Sequence, residues 1–322
     1  MFWVSHHFLA GRYLRKSVVT IDFHVTSKCS QHCPYCWGPQ NFNHPVSTKT
    51  AQKILLRIKA FGIRRVVFTG GDPLQRADLG NLVRFAKLLG LEVAVSTSGD
   101  RLTRKFLQRY GRFIDLVSLP LDGSNESISS RTKEQGHFRA VMKSLQLLTK
   151  YPAIDVKICT PVTRINIHDV KNIAHLVARW AKTTRNRVFY NIFQTFPRSM
   201  APRDWNTLLV SDRDFQSLRT SLKAYRTLKI NILSNKTLDK LYVLIFPDGG
   251  LYVPSGERYD FLGNFLEIGD LETALDKSDF SARKHRKHSK GWEKALTLRV
   301  EGRNVSSKAS VAGRIQSQNL LQ

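Results

Sequence analysis

The sequence predicts an α/β protein: a partial (βα)6 barrel of parallel strands, followed by a small C-terminal α+β extension. After residue 17, short runs rich in β-branched residues alternate with longer segments whose apolar residues recur at helical spacing. A helix after each strand requires a mainly parallel sheet with right-handed crossovers. In such sheets the residues that do chemistry lie in the loops at the carboxyl ends of the strands. The chain of 322 residues, 42% hydrophobic, is large enough to bury a core of this kind.

Six strands and five helices make up the predicted barrel. The strands are Val18–Val25, Arg65–Thr69, Leu91–Ser96, Ile114–Leu119, Ile154–Val162 and Arg187–Phe193. The helices are Thr48–Phe61, Leu79–Leu89, Arg101–Tyr110, His137–Thr149 and Val170–Ala181. The first helix shows the pattern that identifies them all, because Ile54, Leu55 and Ile58 fall on one helical face.

The composition changes after residue 200. We expect a helix over Asp212–Leu228, a hairpin formed by Tyr242–Phe246 and Leu251–Val253 around a glycine turn, and a short helix over Gly269–Ser278. The chain then divides into an N-terminal segment (1–17), the barrel core (18–200), the extension (201–298) and a polar tail (299–322). The tail is rich in Ser, Asn and Gln, a composition typical of disorder.

The charge balance is strongly basic. The 51 Lys and Arg residues exceed the 25 Asp and Glu residues by 26, and the pI is about 10.3. Such a surface attracts nucleic acid, phosphorylated metabolites or anionic lipid, although it can equally be a solvated surface on a protein with another task. The run Arg283–Lys290 favours the second interpretation, since it lacks interleaved aromatic residues for base stacking. A nucleic-acid partner is therefore possible and not favoured, and an anionic small molecule is possible.

No stretch of the sequence reaches the ~20 apolar residues of a membrane span. At the N-terminus the apolar residues Met1–Val4 precede the first charges, which is the reverse of a secretory signal. We therefore expect a cytoplasmic protein with reduced thiols. In that compartment, three cysteines within eight positions indicate a metal site and not a disulfide framework.

The three clustered cysteines are Cys29, Cys33 and Cys36, with the spacing C-x3-C-x2-C directly after the first predicted strand. Three thiolates can hold three irons of a cubane cluster and leave the fourth iron open. A structural zinc with His24, His32 or His44 as fourth ligand is the alternative. Paired C-x2-C motifs are more typical of zinc, and the second pair is missing here.

A second motif, Gly70-Gly71-Asp72-Pro73, ends the second predicted strand. Glycines let the backbone approach a ligand closely, and the Asp72 carboxylate can accept a hydrogen bond from an ammonium group. Taken alone, the motif is also compatible with an ordinary strand-to-helix turn.

Together, the cysteine motif and the Gly-Gly-Asp-Pro run resemble the radical S-adenosylmethionine (SAM) superfamily over roughly residues 18–200. The resemblance implies a [4Fe–4S] cluster whose open iron binds SAM. It further implies reductive cleavage of SAM to a 5′-deoxyadenosyl radical that abstracts hydrogen from a substrate, with the cofactors performing the hard step. An external electron donor of flavodoxin or ferredoxin type is implied as partner.

The resemblance also assigns SAM contacts position by position. The run Gly70–Pro73 corresponds to the turn that holds the SAM amino group, where most members carry Glu in place of Asp72. Tyr35 matches an aromatic residue near the adenine, and the polar turn with Ser96 and Ser98 ends the third strand. Ser118 and Asp122 match the segment that reaches the ribose. Without the resemblance, these serines and Asp122 are compatible with ordinary loop residues.

The fourth cysteine, Cys159, stands alone inside a predicted strand. We expect it to be a buried, inert thiol that packs as a small hydrophobe. With three thiols committed, the C-terminal region cannot hold a second Cys-ligated cluster. This argues against members of the superfamily with cysteine-rich C-terminal extensions.

Within the superfamily, the chain is most similar to the viperin group, which dehydrates nucleoside triphosphates. Segments Phe106–Asp115, Val156–Asn166 and Arg187–Phe189 occur in that group's order. The similarity implies a triphosphate site at Lys157, Arg185 and Arg187, and these cations suit phosphate. They are also compatible with solvated charges at strand edges. Departures occur in the cysteine loop, at Pro34–Gly38, and at Cys159.

Three functions therefore compete. The first is a radical SAM enzyme that acts on a nucleoside triphosphate. The second is a radical SAM enzyme that modifies a peptide or RNA, with the basic surface as docking area. The third is a zinc-stabilised nucleic-acid-binding module without enzymatic activity. The agreement of strand, cysteine loop and glycine turn favours the first two.

Overall fold

The computed structural model describes residues 18–39, 42, 44–198, 204–222, 225 and 228–289. In this part of the chain, one sheet contains ten strands in the order β10-β9-β8-β1-β2-β3-β4-β5-β6-β7. The strands are β1 Thr20–His24, β2 Arg65–Thr69, β3 Glu92–Ser96, β4 Leu116–Pro120, β5 Asp155–Val162, β6 Val188–Gln194, β7 Lys229–Leu233, β8 Leu244–Ile245, β9 Gly250–Ser255 and β10 Arg258–Asn264.

The helices follow the strands along the chain. They are α1 Thr48–Ala60, α2 Leu79–Leu88, α3 Arg104–Tyr110, α4 Glu126–Ser129, α5 His137–Leu148, α6 Val170–Thr183, α7 Asp212–Leu222, α8 Asn235–Leu238, α9 Leu271–Asp276 and α10, residues 282–289. Strands β1 to β7 are parallel in chain order, and β8 adds in parallel to the other side of β1. Strands β9 and β10 continue that edge in antiparallel order. The predicted α/β fold with a partial parallel barrel is confirmed.

The two faces of the strands have different tasks, because successive side chains point to opposite faces. On β1, Ile21 and Phe23 are fully buried in the apolar core that includes the helices. The alternate residues Thr20 and Asp22 line a central cavity. The same alternation on the other strands places a small second apolar cluster inside the barrel, formed by Val67, Ala94, Leu116 and Phe189.

The residues after position 200 differ from expectation at both edges of the sheet. The helix expected over Asp212–Leu228 ends at Leu222, and Lys229–Leu233 forms the strand β7 against β6. The run Lys-Ile-Asn-Ile-Leu alternates polar and apolar residues, and this period of two is typical of a β-strand. The expected hairpin is present as β8 and β9, and β10 was missed. The N-terminal segment 1–17 and the tail 299–322 lie outside the described residues.

Helix α10 corrects the interpretation of the basic run Arg283–Lys290 in part: Arg283 and Lys287 are exposed, as a solvated charge block requires, but another face of the helix is buried, and Lys290 lies outside the described residues. His285 and Ser289 are buried, and His288 packs against Tyr242 with ring centroids 5.9 Å apart. The His285 Nε2 atom accepts hydrogen bonds from the backbone N–H groups of Val19 and Thr20, at 2.9 and 3.2 Å. Helix α10 is therefore fastened to the amino-terminal end of β1 and closes that end of the barrel.

Among the helices of the described residues, none has the length and apolar composition that crossing a membrane requires.

Buried histidines predict a stability that falls with acid. Burial lowers the pKa of His24 to about 3 and that of His288 to about 4, from 6.5. Below pH 6.5 the unfolded chain takes up these protons and the folded chain does not, so each histidine costs about 1.4 kcal/mol per pH unit. Burial raises the pKa of Asp22 from 3.8 to about 6. Between these pH values the folded chain takes up a proton that the unfolded chain does not, so Asp22 offsets the loss of stability that one histidine causes.

We expect the free energy of unfolding in urea to fall between pH 7 and 5, and the variant His288→Asn to flatten that dependence. The exposed residue His168 supplies the control variant His168→Asn, which should leave the dependence unchanged. A free energy of unfolding that rises on acidification, or an equal slope in both variants, would contradict this account.

Candidate functional site

The cysteine loop follows β1 and lies at the carboxyl end of the barrel. Cys29, Cys33 and Cys36 all line the central cavity. Each sulfur accepts a hydrogen bond from a nitrogen of the protein: Gln31 N at 3.4 Å for Cys29, Lys133 Nζ at 2.9 Å for Cys33 and Gly38 N at 3.3 Å for Cys36. Donors aimed at all three sulfurs are the outer-shell arrangement that suits metal-bound thiolates.

The electrostatics of the loop depend on Lys133. Burial raises the pKa of Cys29 to about 11 and also raises that of Cys33, where the Lys133 ammonium works in the opposite direction. Burial disfavours the charged form of Lys133 itself, but Asp122 and Cys33 together raise its pKa above the ordinary value. Lys133 therefore remains an ammonium group and balances negative charge at the cysteines.

The donor set fits an iron–sulfur cluster better than zinc. Within the described residues, no three His, Cys, Asp or Glu side chains converge closely enough to hold a single ion. His24 is buried against Phe246, His32 is bonded to Glu134 at 2.8 Å, and His44 is exposed and does not line the cavity, so none of the three completes a tetrahedral site. A cubane cluster distributes its three thiolates over three irons and needs no such convergence. The zinc interpretation is therefore not supported.

The Gly-Gly turn packs against the start of the cysteine loop. Gly71 N donates to Thr26 O, and Asp72 N donates to Lys28 O, both at 2.7 Å. A Cβ atom on Gly70 would lie 2.2 Å from Thr26 O, and one on Gly71 would lie 2.3 Å from Lys28 O. Gly70 also has a φ of +145°, which side-chain-bearing residues rarely adopt. The close approach that the glycines permit is therefore to the cysteine loop, and Gly71 also lines the cavity.

Asp72 is fully buried at this turn and is already well supplied with donors. Its carboxylate accepts hydrogen bonds from Thr97 Oγ1 at 2.7 Å, from the Ser98 hydroxyl and from Leu74 N at 3.0 Å. A carboxylate has about four acceptor positions, so one remains. Asp72 thereby links the ends of β2 and β3, and Pro73 begins the short 3-10 turn that follows.

The remaining predicted SAM contacts fall into two groups. Ser96, Ser98, Ser118 and Tyr35 line the cavity. Asp122 lies behind them, where it accepts hydrogen bonds from the Tyr35 hydroxyl and from Thr132 Oγ1. The structure therefore makes Asp122 a support for the Tyr35 ring, and Lys133 Nζ lies 5.4 Å from the centre of that ring.

A cation–aromatic cluster holds the far side of the cysteine loop. The buried Arg198 guanidinium lies 4.6 Å from the Trp37 ring centre and 4.4 Å from that of Phe196, and it bonds to Asp239 at 2.7 Å. The Tyr259 hydroxyl donates to Trp37 O at 2.6 Å. The hairpin β9–β10 thus fixes the residue that follows Cys36.

The central cavity has a volume of about 780 Å³ and extends from the cysteine loop to α10. Its lining contains a large excess of positive charge. Among the described residues, Asp22 is the acidic residue of the lining, whereas the cations are Arg65, Lys133, Lys157, Lys236, Arg283, Lys284 and Lys287. Arg65 is paired with Glu92 at 2.6 Å and Lys236 with Asp212 at 3.7 Å, so the excess depends mainly on Lys157 and the cations of α10. Since Lys157 and the α10 cations lie away from the cysteines, this charge distribution suits an anionic substrate.

The structure separates the three predicted phosphate ligands. Lys157 is on β5 and lines the cavity. Arg185 is exposed just before β6, and Arg187 lies 4.0 Å from Asp155 at the amino-terminal end of β6. Neither arginine is among the cavity-lining residues, so neither lies where a ligand in the cavity would contact it.

Cys159 differs from the expected inert core thiol. It is only half-buried, lines the cavity, and has its sulfur 3.4 Å from Ser118 Oγ. A strand inside a barrel exposes every second residue to the interior, so the period of two on β5 places Lys157 and Cys159 there together.

Several cavity residues were not predicted from the sequence, among them Lys133 and those of α10. The run contains a detectable signal, because His285, His288 and Ser289 recur at i, i+3 and i+4, the spacing of a helical face. Lys133 has no comparable signal, since it lies in a turn between α4 and α5 and reaches Cys33 only through the fold.

Comparisons with known proteins identify a family model and several named relatives. A family model described as the Radical SAM superfamily matches residues 23–177. A relative from Flammeovirga pacifica, named S-adenosylmethionine-dependent nucleotide dehydratase, is 24% identical over 276 residues, 82% of this chain and 92% of the relative. The mycofactocin maturase MftC of Mycolicibacterium smegmatis is 27% identical over 170 residues, which are 52% of this chain and 43% of MftC.

Two solved structures have the same fold. Native anSMEcpe with bound AdoMet superposes with a TM-score of 0.64 at 14% identity, covering 83% of this chain and 82% of that one. Streptococcus suis SuiB bound to S-adenosylmethionine gives a TM-score of 0.62 at 14% identity, covering 83% and 67%. At this identity the likeness concerns the fold alone.

The Gly71 contact yields a prediction. In Gly71→Ala the new methyl group must displace Lys28 O, so the cysteine loop shifts and binds iron less tightly. We expect less than half of the wild-type iron per chain after anaerobic reconstitution, measured by iron analysis and visible absorbance. Gly269→Ala is the control, because its Cβ meets no atom within 4 Å. Full iron content in Gly71→Ala would refute the role of this contact.

Proposed function

We propose that the protein is a SAM-dependent dehydratase of a nucleoside triphosphate, in which residues 23–177, the segment that the Radical SAM superfamily model matches, form the radical SAM part. The observation that carries the proposal is the cation-rich lining of a cavity that begins at three cluster-ligating thiols. The relatives named nucleotide dehydratase support it, since they match most of this chain and the first of them over 92% of its own length.

Superfamily membership implies a [4Fe–4S] cluster and SAM. When bound, these cofactors supply the electron and the 5′-deoxyadenosyl radical for hydrogen abstraction, for which an external reductant is required. Cys29, Cys33 and Cys36 would ligate the cluster, and Lys133 would balance the charge of Cys33.

The proposed SAM site comprises the backbone of Gly70 to Pro73, the side chains that line the adjacent cavity wall, and the groups that hold them. Ser96, Ser98 and Ser118 offer hydroxyls on that wall, and the Tyr35 ring offers a flat face. Asp72 is buried behind this wall and would position Thr97 and Ser98, from whose hydroxyls it accepts hydrogen bonds, and Asp122 would position Tyr35.

Substrate phosphates would bind at Lys157 and the basic residues of α10. Phosphate requires cations or N–H donors, and a cavity wall supplies them with less competition from water than a surface does. Lys284 is held by the carbonyl oxygens of Lys236 and Asp239, at 2.8 and 3.3 Å, so its ammonium group is already positioned.

Once a hydrogen atom has been abstracted, dehydration requires that the hydroxyl group leave as water with one proton and that the substrate take up one further electron from the external reductant. Asp22 lines the cavity, and burial raises the pKa of its carboxyl to about 6, against the opposing charges of Lys157 and Arg65. A carboxyl group with a pKa near neutrality can both hold and release a proton. We assign this proton to the Asp22 carboxyl.

A specific observation favours a second function, modification of a peptide. The solved structure of native anSMEcpe with bound AdoMet and a bound peptide superposes on this chain with a TM-score of 0.63. The cation-rich lining of the cavity argues for a small anionic substrate instead of a peptide. Stimulation of 5′-deoxyadenosine formation by a nucleotide distinguishes these two functions.

The test is anaerobic reconstitution with iron and sulfide, reduction in the presence of SAM, and quantification of 5′-deoxyadenosine with each nucleoside triphosphate. We expect at least one triphosphate to stimulate 5′-deoxyadenosine formation and to yield a product lighter by one water. Lys157→Met should raise the KM for that triphosphate about tenfold, since it removes one charged phosphate contact.

Lys105→Met, a change at an exposed residue of α3 outside the cavity, is the matched control and should behave as wild type. Formation of 5′-deoxyadenosine that no nucleotide stimulates, in protein with a full cluster, would overturn the proposed function and favour a peptide.

A further inference from the structure

The cavity wall formed by β5, β6 and β7 carries a row of polar side chains at one height. The strand register pairs Cys159 with Asn191 and Asn191 with Asn231. All three residues line the cavity, because every second residue of each strand points inward. The proposed SAM and phosphate contacts do not include the two asparagines.

The two asparagines are hydrogen-bonded to each other. Asn231 Nδ2 donates to Asn191 Oδ1 at 2.8 Å. This bond consumes one donor of Asn231 and one acceptor of Asn191. Among the described residues, no group bonds to Asn191 Nδ2 or Asn231 Oδ1. The pair therefore keeps one N–H donor and one C=O acceptor available on a wall that lines the cavity.

Aromatic side chains flank this polar pair. Phe189 and Phe193 lie two residues before and after Asn191 on β6, point to the same face and line the cavity. Rings of this kind provide flat apolar surfaces against which a planar ligand stacks. Two residues further, Thr195 is buried on the same wall, and its Oγ1 atom has no hydrogen-bond partner among the described residues.

We propose that Asn191 and Asn231 form a base-reading subsite that hydrogen-bonds the donor–acceptor edge of the substrate's nucleobase, while Phe189 and Phe193 flank its plane. This inference rests on the proposed function and adds to it the part of the site that selects the base. A nucleobase is a planar heterocycle with adjacent donor and acceptor atoms, the pattern complementary to this amide pair.

The distance to the phosphate site agrees with one nucleotide. Lys157 is paired in register with Phe189, so it lies one strand across and two residues below Asn191. Strand spacing and rise place the two Cα atoms about 8 Å apart. This separation lets one nucleotide reach the amide pair with its base and Lys157 with its phosphates.

The test uses the reconstituted protein with SAM and measures Kd for the four nucleoside triphosphates and for inorganic tripolyphosphate by equilibrium dialysis. Wild type should prefer one base. Asn231→Leu, which keeps the approximate side-chain size, should weaken binding of the preferred triphosphate about tenfold. It should leave tripolyphosphate binding unchanged, whereas Lys157→Met should weaken all five ligands and keep the base preference.

Asn231→Asp is a second variant that keeps the volume. A carboxylate at 231 draws the amide nitrogen of Asn191 toward itself, so that two acceptors face the cavity; the order of base preference should then change. Asn206→Leu, at an exposed position outside the cavity, is the control. Iron content and thermal unfolding identify any variant that fails to fold. If one of the two Asn231 variants fails to fold, the binding data of the other test the base-reading subsite.

The possible failures are distinguishable. If wild type binds no nucleoside triphosphate, the proposed function fails. If wild type binds triphosphates without base preference, or if both Asn231 variants keep its affinities and order of preference, the base-reading subsite is refuted while the proposed function stands.

Discussion

The close packing of the Gly70–Gly71 backbone against residues 26–28 is the constraint on which the site depends. Two backbone hydrogen bonds of 2.7 Å extend the pairing of β1 and β2 beyond the ends of the strands. They fix the point from which the cysteine loop begins, and the loop then returns over the cavity with its three thiols. Any side chain at these glycines would occupy the space of backbone atoms.

Charge is arranged along the axis of the barrel. At the cysteine end, Lys133 is the cation nearest to the thiols, and Asp122 raises its pKa so that it stays charged. At the other end, α10 brings lysines into a cavity whose described lining contains one acidic residue. An anionic cluster with SAM and an anionic substrate would therefore each meet cations, with the polar wall of β5 to β7 between them.

The sequence predicted the barrel well because its helices and buried strands have strong periodicity. All six predicted strands are present, and the cysteine and glycine motifs meet at neighbouring strand ends as parallel topology requires. The strand β7 was missed because its five residues follow directly after a segment that was predicted as a helix, and no element was predicted for them. Charged runs were harder to interpret, because a basic composition predicted solvation while the helical spacing of His285 and His288 indicated burial.

Contacts between residues far apart in sequence could not be predicted. Lys133 reaches Cys33 across 100 positions, and Arg198 reaches Trp37 from the other side of the barrel. Arg185 and Arg187 were expected beside Lys157, but Arg185 is exposed and Arg187 lies against Asp155, so neither lines the cavity. A residue type that suits phosphate does not specify whether its side chain points into the cavity.

The central claim is that three thiols hold a cluster with one corner left open to SAM. The most direct measurement is the EPR spectrum of the reduced, reconstituted protein with and without SAM. The account predicts a [4Fe–4S] signal whose g-values change when SAM is added, because SAM would bind the iron that lacks a cysteine ligand. A spectrum that is identical with and without SAM, or a purified protein that retains zinc and takes up no iron, would contradict it.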